Sequence, residues 1–361
     1  MAPLMNARCL AFASLLLLSS VARADRLVLV AGGGREEDQA PAAKTKLTAP
    51  FGVDFDGSGN LYLVEMEGGE RVRKMGGDGV LHIIAGTGVK GFAGDGGPGR
   101  KAQFNGMHSL AALPDGDLFL ADTWNRRIRR LNGRDGTVTT IAGTGASGFG
   151  GDGGPANQAR FGGLYCAALD PAREHLYLAD LDNRRIRVVH LKTGLVGTVA
   201  GNGEHGVPGD GAVATTAPLV DPRAVAADRE GNVYVLEREG NALRVVSPDG
   251  SIRTVVGTGS RGNSGDGGPA RDATLNGPKH LCVDRDGSVV IADTENHVVR
   301  RYTPRDGRIN RVAGSGRKGA AGVPGPALSA ELNQPHGVAI GPTGLLYVVD
   351  SGNHRVLRLE K

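Results

Sequence analysis

The sequence predicts an all-β fold, a six-bladed β-propeller made of four-stranded antiparallel blades. The first observation is a repeat of about 57 residues, seen for example as DLFLAD at residues 117–122 and HLYLAD at residues 175–180. The second is that each repeat holds four strand-like pieces separated by Asp-Gly or Asn turns, a pattern typical of β-hairpins. Four antiparallel strands repeated radially describe a propeller. The acids that end the recurring strand are Glu65, Asp122, Asp180, Glu237, Asp293 and Asp350.

The fifth repeat shows the four pieces in order, and the sixth shows how the ring closes. In the fifth repeat the pieces are KHLCVD (279–284), VVIAD (289–293), HVVRRYT (297–303) and INRVAGSG (309–316). The sixth repeat stops at the third piece, whereas RLVLVAGGG (26–34) is similar to a fourth piece. We therefore predict that the N-terminal strand completes the last blade, and that residues 25–361 form a single domain.

Residues 1–24 have the features of a secretory signal peptide. Arg8 precedes an apolar run at residues 9–22, and Ala22-Arg23-Ala24 is a small-x-small cleavage site. The sequence predicts cleavage near Ala24 and a secreted or periplasmic protein. No later run of ~20 apolar residues follows, so no membrane span is expected in the mature chain.

The charge and cysteine content exclude some function classes. Without Arg8 and Arg23, 40 basic residues stand against 38 acidic ones, a net charge of +2 that does not favour nucleic acid as a partner. Cys166 and Cys282 lie on the inner strands of blades three and five, which predicts two free thiols. We expect a monomer that acts outside the cytoplasm.

A glycine-rich loop recurs between blades, as GFAGDGGPG (91–99) and GFGGDGGPA (148–156). A nucleotide-binding loop would need a helix after it and usually a Gly-Lys-Ser/Thr ending, and this loop leads into a strand instead. The pattern favours a structural turn in which Gly supplies positive φ, Asp accepts hydrogen bonds from its own turn and Pro fixes the exit. The alternative is weak cation binding by the loop acids. They are Asp95, Asp152, Asp210 and Asp266.

A four-residue turn, Asp-x-x-Asn, follows the second strand in four blades, and we interpret it as architectural. We expect its Asp to accept backbone N–H bonds and its Asn to adopt the left-handed region. The residues Arg127, Arg185 and Arg355 are expected to pair with a carboxylate in the same or the next blade. His297 and His354 belong to this turn as well.

The residues that start the innermost strands define the predicted ligand site. The interblade loops and the Asp-x-x-Asn turns share the face on which these strands begin, so the strand starts surround the mouth of the central channel. Trp124, the only tryptophan, lies at that rim, where it would stack on a ligand or pack on the adjacent loop. The predicted ligand-binding residues are His108, Tyr165, Arg223, Lys279, His280, His336 and Trp124, with Phe51 at the equivalent position of blade one.

Three interpretations of the residues at this mouth remain open. Arg223, Lys279 and the histidines would attract an anion such as a carboxylate, sulfate or phosphate. Alternatively His108, His280 and His336 would ligate zinc, which with one open position makes a catalytic site. A third alternative is that these side chains only pack against neighbouring loops.

The motifs LNQPHGVAIGPTGLLYVVDSGNHRVLRL (332–359) and TAPFGVDFDGSGNLYLVE (48–65) resemble the NHL-repeat family. The resemblance covers essentially all of residues 25–361 and implies a six-bladed propeller, but it implies little about chemistry. One six-bladed relative, the peptidyl-amidating lyase, holds zinc with inner-strand histidines. Blades two, four and six here offer His108, Arg223 and His336, so an arginine replaces the third histidine.

A gluconolactonase-like calcium site is a further alternative. Its oxygen ligands would come from residues just before the inner strands: Asn105, Asn276 and Asn333. The leading hypothesis is a secreted binding or scaffolding module for a protein, a glycan or a small anionic ligand at the channel mouth. The alternative is a metal-dependent lyase or hydrolase that uses zinc or calcium at the same opening.

Overall fold

The structure is a computed structural model that describes residues 25–361. Six antiparallel sheets surround a central axis, one for each repeat, which confirms the predicted all-β, six-bladed propeller. The signal peptide predicted for residues 1–24 lies outside the described residues. Within residues 25–361 no helix combines the length and the apolar character needed to cross a membrane.

The strands follow the repeat. The chain begins with β1 (Arg26–Gly32). Blade one contains β2 (Ala40–Pro41), β3 (Pro50–Phe55), β4 (Leu61–Glu65), β5 (Arg71–Met75) and β6 (Val80–Ala85). Blade two contains β7 (Gly97–Pro98), β8 (Met107–Ala112), β9 (Leu118–Asp122), β10 (Arg127–Leu131) and β11 (Thr137–Ala142). Blade three contains β12 (Leu164–Leu169), β13 (His175–Asp180), β14 (Arg185–His190) and β15 (Leu195–Ala200).

The second half of the ring repeats this arrangement. Blade four contains β16 (Ala212–Val213), β17 (Pro222–Ala227), β18 (Val233–Glu237), β19 (Ala242–Val246) and β20 (Ser251–Val256). Blade five contains β21 (His280–Val283), β22 (Val289–Asp293), β23 (Val298–Thr303) and β24 (Arg308–Ala313). Blade six contains β25 (Gly325–Pro326), β26 (Pro335–Ile340), β27 (Leu346–Asp350) and β28 (Arg355–Glu360). One-turn 3-10 helices cover Ala42–Lys44, Gly99–Lys101, Thr123–Asn125, Ala156–Gln158, Ala214–Thr216, Ala270–Asp272, Thr294–Asn296 and Ser351–Asn353.

Blade six contains strands from both ends of the described chain. The N-terminal strand β1 pairs antiparallel with β28, so that Leu27 lies opposite Leu359 and Val28 opposite Arg358. The order of this sheet is β25-β1-β28-β27-β26.

The hydrophobic core lies between neighbouring blades. The second strand of a blade is covered on both faces, so β9 (Leu118–Asp122) is buried at every residue. This explains why these strands are continuous apolar runs rather than alternating patterns. Cys166 and Cys282 are free thiols in this core, as the sequence predicts.

A β-bulge at the start of the inner strand aims side chains at the axis. In blades two, three, four and six the register shifts by one residue, at His108, Tyr165, Arg223 and His336. Bulges of this kind re-aim a side chain without ending the strand. In blade five Lys279 occupies the equivalent position, directly before β21.

The glycine-rich loops supply acids to buried arginines, which supports their structural interpretation. In blade two, Arg129 is fully buried and lies 2.7 Å from Asp95 of the loop and 3.2 Å from Asp122. Arg187 and Arg300 make the equivalent pairs in blades three and five. In these three blades the loop acid therefore binds an arginine on the third strand of the blade that follows the loop. The prediction that the acid accepts hydrogen bonds from its own turn is wrong for these three residues.

The other blades show how the length of the second-strand acid is matched to its partners. Where this acid is glutamate, it reaches the arginine alone: Glu65 lies 2.8 Å from Arg73, and Glu237 lies 2.7 Å from Arg244. Where it is the shorter aspartate in blades two, three and five, a second carboxylate comes from the loop. In blade six, Asp350 lies 2.7 Å from Arg355, and the loop GVPGPA (322–327) contains no acid. Every blade thus neutralises its buried acid with an arginine.

The Asp-x-x-Asn turn is architectural, but two details differ from the prediction. The left-handed residue is the one after Asn, for example Arg126 at φ 56°. The Asn side chain is used otherwise, because Asn125 Nδ2 donates to Asp122 and to the carbonyl of Gly91. Arg355 pairs with Asp350 as predicted. The predicted carboxylate pairs of Arg127 and Arg185 are wrong, because these guanidinium groups stack at 3.8 Å on two loop phenylalanines, Phe92 and Phe149 respectively.

Candidate functional site

Side chains from the six inner strands converge at one end of the channel. The Phe51 ring lies 4.2 Å from that of His336 and 5.1 Å from that of His108, measured between centroids. The His108 ring lies 4.7 Å from that of Tyr165, and the Arg223 guanidinium lies 4.4 Å from the Tyr165 centroid. We call the six bulge-position residues the axial cluster. Its members are Phe51, His108, Tyr165, Arg223, Lys279 and His336.

Arg223 is a buried arginine of the axial cluster that has no acidic partner in the described part of the chain. Its residue is only 4% exposed, Nη1 donates to the carbonyl of Tyr165 at 3.3 Å, and Nε has no hydrogen-bond partner. Among residues 25–361 no carboxylate lies within 4.0 Å of this guanidinium. Burial lowers the pKa of Arg223 to about 10, so the group is charged at neutral pH. A buried cation without a counter-ion is costly.

The two axial histidines have a defined tautomer. His108 Nδ1 lies 2.7 Å from the carbonyl of Gly106, and His336 Nδ1 lies 2.8 Å from the carbonyl of Gln334. A carbonyl only accepts, so both Nδ1 atoms carry the proton and both Nε2 atoms keep a lone pair. Burial, together with the cations Arg223 and Lys279, holds the pKa of each ring well below its usual range. Both imidazoles are therefore neutral at pH 7.

Lys279 is the second cation of the axial cluster, and it is only partly neutralised. Its Nζ lies 2.7 Å from Glu295, and the other oxygen of Glu295 accepts from the side chain of Gln334 at 3.0 Å. Burial lowers the pKa of Lys279, and the contact with Glu295 opposes that change. Glu295 was not predictable from the sequence, because it occupies a variable position of the Asp-x-x-Asn turn.

The sequence analysis also missed the backbone groups that orient the histidines. The carbonyls belong to Gly106 and Gln334, which have φ of 66° and 49°. A glycine two residues before His108 was a usable signal for this left-handed backbone, whereas nothing in the side chain of Gln334 indicates it.

His280 does not join the axial cluster. It is one residue further along the strand than Lys279, and its Nδ1 accepts the N–H of Val338 at 3.4 Å. Burial lowers its pKa to about 4. Within residues 25–361, no three His, Cys, Asp or Glu side chains are grouped so that they could hold one metal ion. The structure therefore does not bring the zinc candidates His108, His280 and His336 together, because His280 lies against Val338 of the neighbouring inner strand.

Trp124 packs on the adjacent interblade loop. A Cβ added to Gly106 would lie 2.4 Å from the indole ring, so the ring rests on this glycine. The indole also lies 5.7 Å from the His108 ring, and the Lys90 ammonium lies 5.4 Å from the indole centroid. Trp124 thus forms a wall beside His108, and only part of the ring is open to solvent.

The asparagines of the calcium alternative are held by the blade turns. The backbone N–H groups of Asn105, Asn276 and Asn333 donate to the second-strand acids of their own blades. In addition, the side-chain amide of Asn333 donates to the carbonyl of Gly352. These contacts tie the three residues to the turns.

The channel also opens at the opposite face, which the sequence analysis did not anticipate. A cavity of about 420 Å³ lies among the later halves of all six inner strands, and we call it the lower cavity. Its wall combines small apolar side chains with the acids Asp54, Asp228 and Asp284, and His280 and Cys166 also line it. Arg173, Arg229 and Glu230 are exposed at its rim. The axial cluster separates this cavity from the predicted mouth.

These features define a six-bladed propeller with a cationic cluster on its axis, and comparisons with known proteins identify its family. The Teneurin NHL domain matches residues 156–262, and the NHL repeat matches residues 275–302 and 332–359. The chain belongs to the NHL-repeat family.

Individual relatives agree with this assignment. Teneurin-m of Drosophila melanogaster is 29% identical over 274 residues, which cover 70% of this chain and 9% of Teneurin-m. The chain therefore spans only about a tenth of that relative's length. A solved structure of an auxiliary nutrient binding protein from Bacteroides thetaiotaomicron is 13% identical, with a TM-score of 0.68 over 93% of this chain and 76% of that one. Virginiamycin B lyase from Staphylococcus aureus is 11% identical, with a TM-score of 0.52 over 93% and 99%. The two structural similarities concern the fold alone.

Proposed function

We propose that this NHL-repeat protein is an extracytoplasmic binding module that holds an anionic ligand at its axial cluster. The observation that carries the proposal is Arg223, a buried guanidinium without a carboxylate partner. A bound anion would supply the missing counter-charge. The inner strand that carries Arg223, β17, pairs along its length with β18.

The surroundings favour an anion in the same place. Lys279, which pairs with Glu295, and Arg238, which pairs with Asp221, are both close enough to disfavour protonation of His108. The rings of Tyr165 and Trp124 supply apolar walls, which lower the local dielectric constant and strengthen an ionic contact. Ligand contacts by His108, Tyr165, Arg223, Lys279, His336 and Trp124 follow from this proposal.

The proposed location rests on the N-terminal sequence. Residues 1–24 have the pattern of a secretory signal peptide, so the mature single-domain protein would be secreted or periplasmic. Similarity to nutrient binding proteins is in keeping with this proposal, because such proteins share the propeller fold. We propose a monomer whose ligand is a small anion, or an anionic group on an extracytoplasmic glycan or protein.

Metal-dependent catalysis has weaker support. The two Nε2 lone pairs of His108 and His336 are suitable metal ligands, but the equivalent position in blade four is Arg223. A fixed guanidinium repels a divalent cation. The geometry therefore favours anion binding over the lyase or hydrolase alternative.

The test compares Arg223→Met with Arg229→Met in the mature protein. Arg229 is an exposed arginine at the rim of the lower cavity, so it is a matched loss of charge. We expect millimolar carboxylates to raise the Tm of the unaltered protein and of Arg229→Met, but not of Arg223→Met. Without ligand, Arg223→Met should keep or raise the Tm, because it removes an unpaired buried charge. Equal ligand effects in both variants would contradict the proposal.

A further inference from the structure

The two sides of the axial cluster offer opposite hydrogen-bonding groups. His108 and His336 belong to blades two and six, and they flank Phe51 of blade one. Arg223 belongs to blade four, which lies across the ring from blade one. A guanidinium offers donors only, whereas a neutral imidazole Nε2 offers an acceptor only. One ligand that spans the axis would therefore need a hydrogen-bond acceptor at the Arg223 end and a hydrogen-bond donor at the histidine end.

The acceptor character of the histidine side is fixed by the protein. Gly106 and Gln334 hold the Nδ1 protons, and Thr123 Oγ1 also accepts from His108, because its own hydrogen goes to Leu164. Proton uptake at Nε2 would place a third charge beside the axial cations. The charged groups that face these rings are Arg223, Lys279 and Arg238, and the rings that touch them are those of Phe51, Tyr165 and Trp124.

We infer that the axial ligand is a hydroxycarboxylate, bound with its carboxylate at Arg223 and its hydroxyl groups donating to Nε2 of His108 and His336. This inference rests on the proposed function of the axial cluster. A sugar acid such as a uronate has both ends, and its C–H face would lie against the Phe51 ring. The uronate is either a free monosaccharide or the end of an acidic polysaccharide.

This arrangement selects against simpler anions. Sulfate and acetate carry no hydrogen-bond donor at neutral pH, so they would leave both Nε2 lone pairs desolvated and unpaired. Leaving a buried polar group without a partner weakens binding. A neutral sugar would satisfy the histidines but leave Arg223 without a counter-charge.

The first experiment is calorimetric titration of the mature protein at pH 7.5 with four probes. D-glucuronate has both groups, glucose has hydroxyls only, cyclohexanecarboxylate has the carboxylate only, and sulfate accepts only. We expect glucuronate to bind at least tenfold more tightly than each of the others, without net proton uptake. Comparing glucuronate with an oligomer of galacturonate separates the two sources, since only a polysaccharide end would bind more tightly as an oligomer.

Variants test which residues bind each end of the ligand. His336→Phe keeps an aromatic ring but removes the lone pair, so it should weaken glucuronate about tenfold and leave cyclohexanecarboxylate unchanged. His205→Phe, at an exposed loop position, is the control. The probe series uses the unaltered protein, so its outcome does not depend on the folding of a variant.

The outcomes separate this inference from the proposed function. If sulfate binds as tightly as glucuronate and takes up protons, the cluster binds anions through charged histidines, and the hydroxycarboxylate inference is overturned. If no anion binds in an Arg223-dependent manner, the proposed function itself fails. Equal binding of glucose and glucuronate would also overturn the inference.

Discussion

Arg129 and Arg223 are both buried arginines, but their surroundings differ. Arg129 lies between the third strand of blade two and the preceding loop, where Asp122, Asp95 and two carbonyl groups accept its hydrogens. Arg223 lies on the axis, where it stacks on Tyr165 and donates to a single carbonyl. The first arginine is neutralised within its own blade, and the second is not. The contrast between a satisfied and an unsatisfied buried arginine supports a structural role for the first and the proposed ligand-binding role for the second.

The largest expected loss of stability follows from replacing Arg129, the paired arginine. Arg129→Met leaves Asp122 buried beside an apolar side chain, and breaking a buried pair in this way costs about 3–5 kcal/mol. We expect the free energy of unfolding, measured with urea, to fall by this amount. Arg130→Met, which removes a half-exposed partner of Asp117, should cost less than about 1 kcal/mol. If Arg129→Met were no more destabilising than Arg223→Met, the contrast between the two arginines would be wrong.

The next largest effect is a pH-dependent change in stability at Glu70, a buried acid that lacks a full set of hydrogen-bond partners. Glu70 is fully buried, its Oε2 accepts the N–H of Gly106 at 3.0 Å, and its Oε1 has no partner. Burial raises the pKa of Glu70 to about 7. Between about pH 4.5 and 7 the folded state thus holds a proton that the unfolded chain has released. This contribution to stability is present at low pH and is lost as the pH rises through 7, by up to about 1.4 kcal/mol per pH unit.

The variant Glu70→Gln tests this sign directly. A glutamine resembles the protonated acid, so its free energy of unfolding should match the unaltered protein at pH 4.5 and exceed it by about 1–3 kcal/mol at pH 8. The exposed Glu67 pairs with Lys90, and Glu67→Gln should change stability by less than about 0.5 kcal/mol at both pH values. Destabilisation by Glu70→Gln at pH 8 would mean that the charged form makes a favourable contact.

The repeat made the fold predictable, whereas the pairing of its charges depended on side-chain contacts between each interblade loop and the blade that follows it. The period of about 57 residues and the Asp-Gly turns were enough for the six blades. The carboxylate pair was predicted for Arg127 instead of Arg129, because the two arginines are two residues apart on one strand and point to the same face. In the structure Arg127 stacks on Phe92 and Arg129 reaches the acids, a difference that the alternation along the strand does not indicate.

The candidate site was predictable in part for a related reason. The start of each inner strand identified the axial cluster, because the topology brings these positions to one end of the channel. Their hydrogen bonds depend on left-handed backbone two residues earlier, which Gly106 signals and Gln334 does not. His280 was misassigned because one step along a strand reverses the direction of the side chain.

The smallest expected effect concerns the second acid of the arginine pair. Asp95 is 37% exposed and also accepts from Thr140, so Asp95→Asn leaves Arg129 with Asp122 and should cost about 1 kcal/mol. Because the loop acid serves the arginine, millimolar calcium should not change the Tm of the unaltered protein or of the variant. Urea titration and thermal melting with and without calcium measure both effects. The contrary result would be that calcium raises the Tm of the unaltered protein and that Asp95→Asn removes this increase. The loop acid would then bind cations, and pairing with Arg129 would not be its main role.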